Sequence, residues 1–319
     1  MGHLRQRLFG ISPREVSFAR RGFQEGNPSV RLRLERIGQT FLHGYHAALL
    51  DDHPAPLAGR LATIEPELRG FAFEGAAMGL ALMDYLAPWR KSRLRVFLDG
   101  PGAAHVYMVH VGAGWALARL RRRVEWPLQR LDTLLGWLAV DGYGFHEGYF
   151  HWTRYVREQA LPRKLAGYAL RVFDQGLGRS LWFVEGADGA KISATIAAFP
   201  LDRQSDLWSG VGLAAVYAGG VEPEAVAALL DAAGPFQPEL AQGAAFAAKA
   251  RQRAGNPTAH TERACRIVCD TTAEEAAALT DRALQDLPGD GEEPAFEIWR
   301  RRLQAHFAEE RTAEPLLRM

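Results

Sequence analysis

The chain has 319 residues, 48% of them hydrophobic and 24% charged, a balance that fits a soluble globular protein able to bury a large core. With 38 basic and 37 acidic residues the net charge is +1, so no global charge design points to nucleic acid or to an anionic membrane. Two cysteines, Cys265 and Cys269, are too few for a disulfide framework and read as buried core thiols in a reducing compartment.

In chain order, the opening MGHLRQRLFG lacks the apolar core of a signal peptide. No apolar run reaches the roughly 18 residues of a membrane span, so a cytoplasmic protein without membrane insertion is expected. Asn27-Pro28 looks like a helix start, with Asn as cap and Pro at the first helical position, and Asn256-Pro257 repeats the pair near the other end. PLAGRLATIEPELRG and ISATIAAFPLDRQ are short amphipathic stretches. PLQRLDTLLGWLAV, PEAVAALLDAA and AEEAAALTDRALQDL carry apolar residues at helical spacing, the last two behind helix-opening signals. DLPGDGEEP reads as a loop before a final helix, EIWRRRLQAHFAEE. Alternating strand patterns are scarce, and the fold class expected is all-α.

Seven segments share one design: FLHGYHAALL, FAFEGAAMGLAL, VHVGAGWALARL, FHEGYFHWTR, FDQGLGRSLWF, LWSGVGLAAVY and LAQGAAFAAKA. Aligned on Gly44, Gly75, Gly112, Gly148, Gly176, Gly210 and Gly243, they recur at steps of 31, 37, 36, 28, 34 and 33 residues. Such a period, about 33, is that of tandem helix pairs. Glycine within a helix costs about 1 kcal/mol relative to alanine, so seven of them demand a reason, and close backbone approach supplies one. The expected architecture is therefore one domain spanning 1–319. Helix-pair repeats would fill about 35–285 as an α/α solenoid or toroid, and 286–319 would form a C-terminal helix and tail.

The residue before each glycine is polar in six of seven segments, so stacking in register would set Glu74, Glu147, Gln175, Ser209 and Gln242 along one inner surface. His110, His146 and Asp174 lie one residue further back, at its margin. Tyr45, Phe73, Trp115, Tyr149 and Trp208 gather near the same positions. An inner wall of this kind could hold an unsaturated apolar substrate and move protons. It is equally a place where buried polar groups bond to one another between packed helices. Arg154, Arg179 or the histidines would then partner Glu74 and Glu147.

Other motifs are weaker. His146-Glu147 and His151 resemble a zinc-protease helix, but the histidines are five apart rather than four, about 140° round a helix, and His105 and His110 fail likewise. No metal or other cofactor is assigned; a metal or haem held by histidines of neighbouring helices is the lesser alternative. VYMVHVGAGWALARL imitates a strand and a G-x-G-x-x-G turn, yet leucine occupies the third glycine position. Arg119, Arg121, Arg122 and Arg123 form a basic run, read first as a solvated face and second as a contact for phosphate or a carrier protein.

The blocks GFAFEGAAMGLALMDYL, HVYMVHVGAGWALARL, DGYGFHEGYFHW, FDQGLGRSLWFVEG, DLWSGVGLAAVYAGG and LAQGAAFAAKARQRAGNP together resemble a bacterial family of unknown function that accompanies enediyne polyketide gene clusters. The resemblance spans roughly residues 10 to 285. It implies a context, cytoplasmic biosynthesis of a highly unsaturated polyketide beside other cassette proteins, and no catalytic residues. Two functions are compatible with it. One is an enzyme that desaturates, cyclises or isomerises a linear polyene, using His146, Glu147, His110, Glu74 and Asp174 as acid–base groups. Tyr45, Phe73, Trp115, Tyr149, Gln175, Trp208, Ser209 and Gln242 would then bind the substrate. The other is a non-catalytic repeat scaffold that shields the polyene or docks partner enzymes.

Overall fold

The protein, seen in a computed structural model, is described for residues 2–87, 89, 92–122 and 131–317, with side chains up to residue 310. Every regular element among the described residues is helical. Seven long helices form the body: α3 (Pro28–Leu50), α5 (Pro66–Leu86), α7 (Val106–Arg119), α8 (Trp137–Phe150), α9 (Tyr168–Val184), α11 (Leu201–Ala218) and α13 (Gln237–Arg253). Each packs against the next in this order. Short helices α4 (Pro54–Ala62), α6 (Arg93–Leu98), α10 (Gly189–Ala197) and α12 (Pro223–Ala233) lie between them in sequence, α14 (Ala259–Val268) follows the last, and α10, α12 and α14 pack side by side. The chain opens with α1 (Gly2–Phe9) and the single turn α2 (Phe18–Arg21) and closes with α15 (Ala273–Ala283) and α16 (Ala295–Leu317). This sequence order of long and short helices is compatible with tandem helix pairs.

Local chemistry explains the boundaries. Asn27 accepts from Ser29 N and Pro28 takes the first helical position of α3, as expected. Asn256 behaves differently. Its amide donates to the carbonyl of Pro66 at 3.0 Å, and Thr258 caps α14 instead. Within the stretch PLQRLDTLLGWLAV, where a helix is expected, the described residues are non-helical over 131–136 and helical from Trp137. Residues 127–130 and Arg123 lie outside the described residues. VYMVHVGAGWALAR is wholly helical, which removes the strand that a dinucleotide fingerprint needs.

The glycines show what holds the row together. A β-carbon on Gly44 would lie 1.9 Å from the carbonyl oxygen of Ala72, and one on Gly75 would lie 1.9 Å from that of Phe41. The same reciprocal contact joins Gly114 with Val111–Gly142, Gly144 with Asp141–Gly176, Gly178 with Gln175–Gly210, and Gly212 with Ser209–Gly243. No side chain fits there, so backbone rests on backbone. One alignment position is corrected. Gly148 meets the Ser180 side chain rather than a backbone, and the α8 glycines that equal the others are Gly142 and Gly144. The equivalent of Glu74, Gln175, Ser209 and Gln242 is therefore Asp141, not Glu147.

The row bends back on itself. Arg251 of α13 donates to the carbonyls of Glu67 (2.7 Å) and Tyr217 (2.6 Å), and Tyr217 meets Phe71 edge-on at 5.2 Å. α16 seals the far end: Phe246 and Trp299 stack at 4.4 Å, and fully buried Arg300 pairs with Asp206 at 2.6 Å and Glu297 at 3.0 Å. One buried core runs from Val16 to Phe307.

Candidate functional site

Residues preceding the glycines do converge, but on one another. Asp141 accepts from Gln175 at 2.8 Å and pairs with Arg179. Ser209 donates to Gln242 at 2.8 Å and lies 3.4 Å from Gln175, and Gln304 of α16 donates to Gln242 at 3.2 Å. Asp141, Gln175, Ser209 and Gln242 are all fully buried. This is a ladder of buried hydrogen bonds across α8, α9, α11, α13 and α16, made because each inward polar group needs a partner once water is excluded. Gln175, Ser209 and Gln242 thus line no cleft.

Asp174 is committed elsewhere, to a two-point ion pair with Arg203 at 2.8 and 2.5 Å. Burial pushes its carboxyl up to about 6 against the pull of Arg203. His110 sits on the Val106 carbonyl at 2.7 Å, its basicity lowered by burial. Phe73 stacks on His105 at 4.0 Å, and Trp208 belongs to the core. None of these reaches the site described next.

A cleft of about 850 Å³ opens at the C-terminal end of α8. His146, Glu147 and Tyr143 lie at its buried base. His146 Nδ1 and Glu147 Oε1 are 3.2 Å apart. Helix α8 ends at Phe150, and a single π-helical segment, Thr153–Arg157, follows. That wide turn brings Tyr155 back to hydrogen-bond Glu147. Because the helix ends, His151 does not lie where a continuous helix would put it. Its ring centre is 6.2 Å from that of His146, and both border the cleft.

Burial drives His146 below the ordinary histidine range, against the opposing pull of Glu147. Burial also pushes Glu147 upward, but hydrogen bonds from His146 and Tyr155 and the histidine charges outweigh it and hold its carboxyl low. The consistent state at neutral pH is a neutral imidazole donating from Nδ1 to an ionised Glu147. That tautomer leaves Nε2 as an acceptor, the arrangement of a general base.

A second, apolar cavity of about 30 Å³ lies behind, and Phe150 lines both spaces. Phe41, Phe71, Trp115, Phe145, Tyr149 and Phe183 enclose it. One carboxyl faces it, that of Glu74, which accepts from Trp115 Nε1 at 2.9 Å. Burial raises Glu74 to about 7, partly offset by the Arg179 charge and the Trp115 bond. Tyr149 closes the far side with its hydroxyl 3.5 Å from the Val16 carbonyl. Tyr45 lies beyond, donating to the Phe9 carbonyl at 2.7 Å beneath the Arg119 guanidinium.

Among the described residues the only three-ligand set of metal-binding type is Asp51, Asp52 and His53 at the surface, where Arg60, Arg5 and Arg93 already pair with the acids. His105, His110 and His146 do not converge into such a set. Both cysteines are buried and form no disulfide, and the Cys269 thiol donates to the Ala241 carbonyl at 3.6 Å. Sequence reasoning missed Tyr143, Tyr155 and Asp141. For Asp141 a signal existed: it precedes Gly142 in the motif DGYG, two residues from a second glycine, as Gln175 precedes Gly176.

Fold and site together define an all-helical protein with a polar cleft over an aromatic interior and a His–Glu pair between them. The chain belongs to a protein family of unknown function, DUF1702, whose profile matches residues 1–307. No curated protein and no solved structure matches it. No described helix is long and apolar enough to cross a membrane.

Proposed function

We propose that this chain is a cytoplasmic enzyme of enediyne polyketide biosynthesis that binds a linear polyene and abstracts or relays a proton during its desaturation, cyclisation or isomerisation. The observation that carries the reading is the His146–Glu147 pair at the base of the cleft. A neutral imidazole backed by a carboxylate is a proton acceptor at neutral pH. Glu74, half-protonated near neutrality in an aromatic cavity, is the matching donor across Phe150 and Trp115. Aromatic walls suit a conjugated chain. The enediyne context comes from the resemblance of the sequence blocks, and other proteins of such a cassette are the expected partners.

A scaffold that only shields the polyene would have all its inward polar groups pinned to one another. That description fits Asp141, Gln175 and Ser209; His146 is bonded to Glu147 but also borders the open cleft. The test is to place His146→Ala and Glu147→Gln separately in a producing bacterium, with circular dichroism confirming the fold of each purified variant. Loss of product with an intact fold supports the enzyme; undiminished product removes both residues from the chemistry.

A further inference from the structure

The rim of the cleft carries more positive charge than the fold uses. Arg119, Arg121, Arg154, Arg163 and Lys164 all line it, and none forms an ion pair with a carboxylate among the described residues. The two acids of the lining are already engaged, Glu15 by Arg20 and Arg21 and Glu147 by His146. Arg119 is half-buried: Nη2 donates to the Phe9 carbonyl at 2.9 Å, while Nη1 is buried without a hydrogen-bond partner. Arg121 holds a left-handed backbone, φ 50°, and its carbonyl receives Lys164 Nζ, which ties the loop carrying Arg163 to the end of α7. Cations crowded round one concavity repel each other, and a low-dielectric wall strengthens that repulsion. A bound anion relieves it.

The same cleft also has an apolar wall. Ile11, Ala118, Phe150 and Pro162 supply it, beside the Tyr143 and Tyr155 rings. One ligand therefore has to satisfy a multiply charged end and an apolar chain.

We propose that the cleft binds a phosphate group attached to a linear apolar chain, the phosphate held by Arg119, Arg121, Arg154, Arg163 and Lys164 and the chain laid along the apolar wall toward His146. Arginine forks match phosphate oxygens in two-point contacts, and a phosphate monoester carries close to two negative charges at pH 7 where a carboxylate carries one. Among the described residues no glycine-rich phosphate loop follows a strand, so these cations are not part of a dinucleotide-type phosphate cradle there. This inference names the ligand class of the cleft and rests on the reading given above. A small phosphate ester and the phosphopantetheine arm of a carrier protein both present a phosphate that arginine forks can grip, the arm's diester with one negative charge and the monoester with close to two.

The test is calorimetric titration of the full chain with octyl phosphate, octanoate and octanol, and with a carrier domain bearing an octanoylated phosphopantetheine arm. Octyl phosphate is expected to bind on the order of tenfold tighter than octanoate, with octanol weaker still and with affinity falling as salt rises. The exposed pair Arg154→Gln with Arg163→Gln is expected to lose on the order of tenfold for the phosphate ligands. Tighter binding of the carrier domain than of octyl phosphate identifies the tethered arm as the source; the reverse identifies a free ester. Equal binding of octyl phosphate and octanoate, or no loss in the double variant, overturns the proposal. Such a failure leaves the product test on His146 and Glu147 untouched, so the two readings fall separately.

Discussion

His146 and Glu147 are neighbours in the chain, yet their side chains meet, Nδ1 to Oε1 at 3.2 Å, inside a wall of protein. Adjacent helical residues normally diverge by about 100°. Here both side chains lie near the end of α8, where the π-helical turn returns Tyr155 to complete the pair's surroundings.

Glu147→Gln removes the charge that orients and supports His146. A neutral amide no longer favours the imidazolium, so the basicity of His146 drops further below its usual range. The expected loss in product formation is about 10²- to 10⁴-fold, with little change in unfolding temperature. Rates of product formation and a thermal melt, measured on the same preparation, check both halves.

Glu74→Gln tests the buried acid through stability. The folded-state pKa near 7 stands above the unfolded value near 4.5. Stabilisation by the protonated form is therefore full below pH 4.5 and is lost as pH rises through 7. Glutamine keeps the shape and an acceptor for Trp115 without the ionisation. The variant should gain on the native chain by about 2–3 kcal/mol between pH 4.5 and pH 8. Urea unfolding at the two pH values reads the difference, and a gap independent of pH would mean that Glu74 is not shifted by burial.

Three glycine substitutions should separate in magnitude. Gly144→Ala places a methyl group 2.1 Å from the Phe173 carbonyl, a rigid atom, and is expected to destabilise by about 3 kcal/mol or more. Gly148→Ala meets the Ser180 hydroxyl and a Leu177 methyl, which can move, and the Ser180 β-carbon at 2.7 Å, which moves only with its helix, and should cost about 1–3 kcal/mol. Gly59→Ala, on an exposed part of α4 with nothing within 4 Å, should stabilise by up to about 1 kcal/mol. Denaturant midpoints of the three rank them.

Ser209→Ala interrupts the ladder between Gln175 and Gln242. Its hydroxyl is fully buried, so both glutamines lose a partner without gaining water. The expected cost is about 1–3 kcal/mol with product formation retained, measured by urea unfolding and by product yield.

The all-helical class was legible because apolar spacing and the scarcity of alternation agree along the chain. The role of the glycines was legible too, from the unlikeliness of so many within helices unless backbones touch. Register was not. FHEGYFHW offers a polar residue before a glycine just as FDQG and LAQG do; the second glycine of DGYG hints at the true register, and the pairing of Gly142 and Gly144 with neighbouring carbonyls settles it. Asp174 and Gln175 show a related limit. Position on a helix indicates that a polar side chain turns inward, but Arg203, which pairs with Asp174, and Asp141, which accepts from Gln175, come from other helices. The cleft depends on the end of α8 and on the segment carrying Arg163 and Lys164, whose path no periodicity fixes. His146 and Glu147 were visible as candidates, whereas Tyr143 and Tyr155 emerge only once that path is known.

The most direct measurement is the ¹⁵N NMR shift of the His146 ring nitrogens at pH 7. The expected spectrum is that of a neutral imidazole protonated at Nδ1, with Nε2 free to accept a proton from the cleft. An imidazolium at that pH, or a neutral ring carrying its proton on Nε2, would contradict a base poised by Glu147.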